Sequence, residues 1–348
     1  MLRRTPRTAA AVGALALLGT LAACGGPSSA ATPLGGTGSA GAAAHPEWAG
    51  FTFTVGDNGG DGTEALAKTT GAFDTAPYTV RFARFTFGPP LVQAAVSGDI
   101  DLGSVGDVPP ITGAAKEYGF KVVAVTHSLR PTRPTENILV PKGSSIRTLA
   151  DLRGRRLAVP QGSSAHGLVL NALTSAGLTP QDVTLVFLDP AAGATAFATG
   201  KVDAWAIWNP QSALAVERGA RVLAKGLPPI DQTSNYYVAS DASLKDPAKR
   251  AALTDVLERL ANQFHWAVRH PDRYAQAIAQ EEGIPLSDAK AVLPTMETRM
   301  TPVDHADIAA EQQLGDAFLA AGQIDRKVDV AAITDNLLPS GYDSAKLR

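Results

Sequence analysis

From Phe51 onward the chain alternates short apolar runs with stretches of helical spacing. The runs "FTFTV" (51–55), "YTVRFARF" (78–85), "IDLGSV" (100–105), "KVVAVTH" (121–127), "NILVP" (137–141), "RRLAVP" (155–160), "VTLVFL" (183–188) and "DAWAIW" (203–208) have the length and the β-branched or aromatic content of strands. Helical spacing falls between them, over about 63–73, from about Pro89, over 163–175 and over 191–199. Strand and helix in alternation predict βαβ units, and so an α/β fold of mostly parallel sheets flanked by helices. The last third is mainly helical: Asp246-Pro247 is suited to cap a long amphipathic helix toward His270, and 272–282 and 306–321 follow with the same period. No repeat of solenoid length interrupts this order.

In open parallel sheets, ligands bind beyond the carboxyl ends of the strands, where helix N-termini present unpaired N–H groups and a positive dipole end. Four segments fall at such places: "TFGPP" (86–90), "GSVGDVPP" (103–110), "PQGSSAH" (160–166) and "WNP" (208–210). Glycine admits close backbone approach, serine offers a neutral hydroxyl donor, and proline in the first helical turn gives up an N–H that has no intrahelical partner. The loops 88–90, 103–110 and 161–164 contain no Lys or Arg, so an anion there would be held by dipoles and neutral donors. At about 1.5–3 kcal/mol for each hydrogen bond to a charged group, four or five bonds reach the roughly 8 kcal/mol of micromolar binding.

The N-terminus supplies an address. Arg3, Arg4 and Arg7 precede an apolar run from about Ala9 to Leu21, shorter than a membrane span, which predicts a signal peptide over 1–23. It ends in Leu21-Ala22-Ala23-Cys24-Gly25-Gly26, a pattern that resembles the lipobox of bacterial lipoproteins, in which the cysteine carries the lipid. Cys24 is the only cysteine, and lipidation explains it without a disulfide or redox role. Residues 24–48 are mostly Gly, Ala, Ser, Thr and Pro, the composition of a flexible tether.

The 348 residues, 45% of them apolar, are ample for a core and two lobes. A net charge of −2, falling to about −5 once the three arginines leave with the leader, excludes the basic stripe that nucleic acid requires.

At these loops the sequence becomes recognisable. "FTFGPPLVQAAVSGDIDLGSVGDVPPI", "TLADLRGRRLAVPQGSSAHGLVLNAL" and "GKVDAWAIWNP" resemble the aliphatic sulfonate-binding proteins of ABC importers, within the wider group that binds nitrate, taurine and thiamine precursors. The resemblance runs from Phe51 to about Leu338. It implies a two-lobed type II periplasmic-binding fold, with chain crossings near Glu136–Lys142 and Asn235–Ala239. Lobe one would then hold 51–137 and 238–338, and lobe two 138–237. It further implies a monomeric, extracytoplasmic, lipid-anchored protein that captures a small organic anion by hinge closure and delivers it to a membrane permease driven by an ATPase, with no cofactor. Carried over residue by residue, the ligand set is Gly88, Pro89, Pro90, Ser104, Gly106, Asp107, Gln161, Gly162, Ser163 and Ser164, the three serines donating to the sulfonate oxygens. Nitrate, taurine, a thiamine-precursor pyrimidine or another heterocycle, and a sensing role without transport, stay open as alternatives on the same fold.

Each candidate also has a structural reading. Asp107 can cap the helix near Pro109, and Ser163 or Ser164 the helix that follows them. Trp205 and Trp208 are three apart, so on one strand they face opposite ways; Trp208 is the one expected at the ligand and Trp205 in the core. Asn209 stands where relatives usually have Asp, and its amide can donate as well as accept. His127 and His166 read as structural histidines. The acidic loop "GDNGGDGTE" (56–64) departs from the family's neutral or basic pattern, and Asp57 or Asp61 there could meet an amine, which would suit an aminoalkyl sulfonate. Catalysis is not expected: no G-x-S-x-G elbow, P-loop or H-E-x-x-H occurs, and Gly200-Lys201 lacks the first P-loop glycine. The six scattered histidines form no metal-binding cluster.

Overall fold

A computed structural model describes residues 45–59 and 62–347. The signal peptide, Cys24, most of the tether and Asp61 lie outside the described residues. At the end of the stretch expected as a tether, Pro46–Trp48 forms a 3-10 turn. Trp48 is buried in the core with the His45 ring stacked on it at 3.9 Å.

Two mixed sheets carry the fold. The first has the order β11-β4-β10-β3-β1-β2, built from β1 (Thr52–Asn58), β2 (Thr79–Phe85), β3 (Leu102–Gly106), β4 (Phe120–Ser128), β10 (Ser234–Ser240) and β11 (Thr298–Thr301). The second has the order β7-β6-β8-β5-β9, from β5 (Glu136–Val140), β6 (Arg156–Val159), β7 (Thr184–Phe187), β8 (Ala204–Trp208) and β9 (Arg221–Lys225). Strands joined through helices pair in parallel: β1 with β2, and β6 with β7. The sheets are nonetheless not mostly parallel. β10 runs antiparallel to β3 and β4, and β5 antiparallel to β8 and β9. Both strands arrive directly from the other sheet without a crossover helix, the connection that parallel neighbours require.

The same pairing fixes where the chain crosses. β5 belongs wholly to the second sheet and β10 wholly to the first, so the crossings are 129–135 and 226–233, just ahead of the segments expected from the sequence. Asn235 to Tyr237, expected in lobe two, pair instead with Gly106, Val105 and Ser104 of β3. Packing also extends beyond Leu338, since the Ser344 hydroxyl accepts the Met300 N–H at 2.8 Å.

The helical last third covers the first sheet. Asp246 caps the helix Pro247–Arg269 by accepting from the N–H groups of Ala248 and Lys249. That helix buries Leu253, Val256, Leu257, Leu260 and Ala261 against Phe53, Val55 and Tyr237 in one apolar cluster. A smaller cluster is shared between the lobes: Val108, Ile111, Leu314 and Phe318 of the first enclose Leu170 of the helix Ser164–Ser175 from the second.

Candidate functional site: a cleft between the sheets

Four of the helices that follow strand ends, Thr63–Thr70, Gly88–Ser97, Val108–Ala115 and Ser164–Ser175, start beside the gap between the sheets. The gap is a cleft of about 120 Å³. Of the candidates named from the sequence, Gly88, Ser104, Gly106, Ser163, Ser164, Trp208 and Asn209 line it, together with Asn58, Thr63, Thr135, Thr233 and Thr295, which the sequence reading did not single out. Pro89, Pro90, Asp107, Gln161 and Gly162 stand behind this lining, in the turns that carry it. Among the described residues, no Lys, Arg or His lines the cleft.

Here the lobes touch. A Cβ built on Gly106 would lie 2.9 Å from Ser164 Cβ, so only hydrogen fits between β3 and the second lobe's helix. The Asn209 amide bridges the lobes too, donating to Thr295 Oγ1 at 3.2 Å and to the Pro134 carbonyl at 3.5 Å, while its Oδ1 accepts the Ala213 N–H. Both amide hydrogens are thereby committed to protein, and Asn209 serves as a brace rather than a free donor.

The serines differ among themselves. Ser163 is the N-cap residue of its helix by position, but its hydroxyl does not cap; it donates to the Pro160 carbonyl at 2.7 Å. Ser164 Oγ donates to Glu136 Oε2 at 2.8 Å. A hydroxyl carries one donor hydrogen, so neither serine has one to spare in this arrangement. Ser104 does: it is buried, faces the cleft and has no side-chain hydrogen-bond partner among the described residues. Asp107 likewise makes no side-chain cap on the helix Val108–Ala115, and its Oδ1 has no partner.

The two tryptophans separate as their spacing requires. Trp205 is buried beside Phe197, with ring centroids 5.7 Å apart, whereas Trp208 is half-buried on the cleft wall. His166 is structural. It is buried edge-on to Phe187 and Phe318, its Nδ1 accepts the Gly162 N–H at 3.3 Å, and desolvation pushes its pKa down to about 4. His127, lowered by burial against the pull of Asp307, lies 3.6 Å from that carboxylate and outside the lining.

Asp57 is not at the cleft surface. It is buried, its Oδ2 accepts the Glu64 N–H at 2.9 Å, and burial pushes its carboxyl up to about 6. Acidic groups do reach the cleft, but from positions the sequence reading did not name as site residues: Glu136 at the start of β5, expected only at a crossing, and Asp231 in the second crossing. Nothing in their local sequence marks them, since β5 reads as an apolar run and Asp231 follows two prolines and an isoleucine in a loop.

The sequence pattern of the NMT1/THI5-like family matches residues 89–274, more than half of the chain. The chain belongs to the NMT1/THI5-like family. Within it, the chain is 34% identical over 254 residues to an aliphatic sulfonates-binding protein of Escherichia coli K12, covering 72% of this chain and 77% of that one. It is 28% identical to the protein of the same description from Bacillus subtilis 168, covering 76% and 79%. Among solved structures, the alkanesulfonate-binding protein of Xanthomonas axonopodis pv. citri bound to MOPS superposes with a TM-score of 0.76 at 32% identity, over 82% of this chain and 98% of that one. This NMT1/THI5-like chain therefore has the two-lobed periplasmic-binding fold.

Proposed function

We propose that the protein is the solute-binding component of an ABC importer and captures a small organic anion, an aliphatic sulfonate, between its lobes. The observation that carries this is the composition of the cleft: it joins both sheets, offers neutral donors and an aromatic wall, and contains no fixed cation among the described residues. A sulfonate stays ionised at any physiological pH, so it needs hydrogen-bond donors and dipoles rather than a titrating partner. Ser104, Thr63, Thr233 and the N-termini of the helices Thr63–Thr70 and Gly88–Ser97 supply these, and Trp208 covers the organic tail. The similarity to sulfonate-binding relatives supports the same ligand class.

Transport follows from two states of one molecule. The crossings 129–135 and 226–233 act as the hinge, and a ligand touching both lobes favours the closed form by its differential contacts there. The closed form docks on a permease with its ATPase, and nothing is chemically transformed. Cys24 carries the lipid that holds the chain at the outer face of the cell membrane, residues 24–44 give it reach, and the protein works as a monomer.

Calorimetric titration of residues 44–348, refolded to remove carried ligand, tests the ligand class. Ethanesulfonate or longer alkanesulfonates and taurine are set against sulfate, nitrate and a hydroxymethylpyrimidine. Micromolar binding of at least one sulfonate with weak sulfate is the expected result. Silence toward every sulfonate, with binding of nitrate or the pyrimidine, sinks it.

A further inference from the structure

Asp57 near the end of β1, Glu64 in the first turn of the helix Thr63–Thr70 and Glu281 in the last turn of the helix Pro271–Glu282 come together in lobe one. Each offers an oxygen, and these oxygens all lie within 4.8 Å of one another. Crowded surface carboxylates are common, and water answers most of them. This group differs because part of it is shut away from water. Asp57 is 1% exposed; its Oδ2 accepts the Glu64 N–H at 2.9 Å, and its Oδ1 has no hydrogen-bond partner. Glu281 Oε2 is a second buried oxygen without a donor.

The local charge does not balance. Lys68 pairs with Glu64, and Arg84 with Glu282, the residue after Glu281. Arg84 also acts on Asp57 and Glu281 from a distance, but among the described residues it forms no ion pair with either. Four carboxylates against two cations leave two negative charges, the amount one divalent ion carries. A buried carboxylate without a counter-charge either takes up a proton or finds a cation. The donors in this group are oxygens only, which suits a hard cation rather than zinc or copper. Calcium tolerates irregular geometry and bidentate carboxylates, whereas magnesium demands a near-ideal octahedron. The carbonyl end of the helix Pro271–Glu282 adds a favourable dipole, and the opposing amino end of Thr63–Thr70 is already answered by Asp57 Oδ2.

We propose that Asp57, Glu64 and Glu281 hold a calcium ion that ties β1 and the helix Thr63–Thr70 to the helix Pro271–Glu282. Asp57 Oδ1 and Glu281 Oε2 are the oxygens left for the ion, and Glu64 adds a third ligand while keeping its pair with Lys68. The ion is structural. It fixes a helix whose first residue, Thr63, lines the cleft, and it does not depend on which solute the cleft takes. Without a cation, burial pushes Asp57 up to about 6 and Glu281 up to about 7, so protons take the place of the ion.

The test is calorimetric titration of the EDTA-stripped, dialysed protein with calcium chloride at about pH 7.5, alongside melting curves. One calcium per chain is expected, with a Kd of about 0.1–1 mM, the range of extracellular calcium modules. The melting temperature is expected to rise by roughly 3 °C or more in about 10 mM calcium chloride. Asp57→Asn and Glu281→Gln are each expected to weaken calcium binding at least tenfold and to lose most of that rise, while still melting cooperatively in EDTA. A rise reproduced by sodium chloride at equal ionic strength is charge screening and overturns the site. An unchanged rise in both variants overturns it too, by putting the ion on other acids. If the wild-type protein shows neither calcium heat nor a shift, the free oxygens belong to protons and the site falls on that titration alone, whether or not a variant folds.

Discussion

Gly106 of β3 and Ser164 of the second lobe meet so closely that a Cβ on the glycine would come within 2.9 Å of the serine Cβ and 3.2 Å of its Oγ. The Gly106 backbone is ordinary, so a methyl group there changes the space between the lobes and nothing else. Gly106→Ala is expected to hold the lobes apart and weaken ligand binding at least tenfold, while the melting temperature of the unliganded protein moves by no more than a few degrees. Unchanged affinity, measured by calorimetry, would show that the contact is not part of the ligand-bound form.

The two tryptophans of β8 make a matched pair of experiments. Trp208→Ala removes the aromatic wall and is expected to cost about 10–100-fold in affinity, the equivalent of burying one large side chain against the ligand. Trp205→Ala opens a cavity beside Phe197 and Gly193 and is expected to cost about 3–5 kcal/mol of stability in denaturant titrations, as large aromatic truncations do. An exchange of these outcomes would reverse the assignment of the two faces.

His166 sets an acid limb on stability. Its folded pKa of about 4 lies below the unfolded value near 6.5, so the unfolded chain binds the proton more readily. Stability is present above pH 6.5 and lost as the pH falls toward 4, by about 3 kcal/mol from this residue. His166→Gln keeps a hydrogen-bond acceptor for the Gly162 N–H and is expected to flatten that limb in chemical denaturation measured from pH 7 to 4.

Asp57 acts in the opposite sense. Its carboxyl, pushed up to about 6 by burial, and that of Glu281, pushed up to about 7 by burial and by Asp57, favour the protonated form in the folded state. Their contribution is present at pH 4 and lost as the pH rises through 6 to 7, by about 2–3 kcal/mol for Asp57 alone. Asp57→Asn retains an acceptor for the Glu64 N–H, so it is expected to raise stability at pH 8 with no change in ligand affinity. A fall in affinity for an amino sulfonate would return Asp57 to the site.

Cys24 provides a test in cells. Cys24→Ala is expected to release the chain from the membrane fraction and to remove the acyl mass from its mature N-terminus by mass spectrometry. Retention with an unchanged mass would refute the lipid anchor.

Much of the fold was legible because each βαβ step writes itself locally: apolar runs of strand length, Gly-Pro or Ser-Ser at the turn, then helical spacing. Ser104 and Ser164, named from the resemblance, and Trp208 of the tryptophan pair line the cleft. Strand direction was less legible, because β5 looks like any other apolar run, β10 is expected only as a crossing between lobes, and only their arrival from the opposite lobe makes them antiparallel. Hydroxyl orientation was equally hidden. That Ser163 turns to Pro160 and Ser164 to Glu136 depends on carbonyl and carboxylate positions set by distant segments. The acid pair escaped notice for the same reason, Glu136 and Asp231 being 95 positions apart in the chain.

Leu170 belongs by its helix to one lobe and by its packing to the other, inside the cluster of Val108, Ile111, Leu314 and Phe318. The molecule thus resembles a jaw with a dry, filled joint more than two plates on a pair of straps. Wide gaping would expose that joint to water at a free-energy cost that grows with the apolar area uncovered, so opening that leaves the cluster closed is favoured over opening that breaks it.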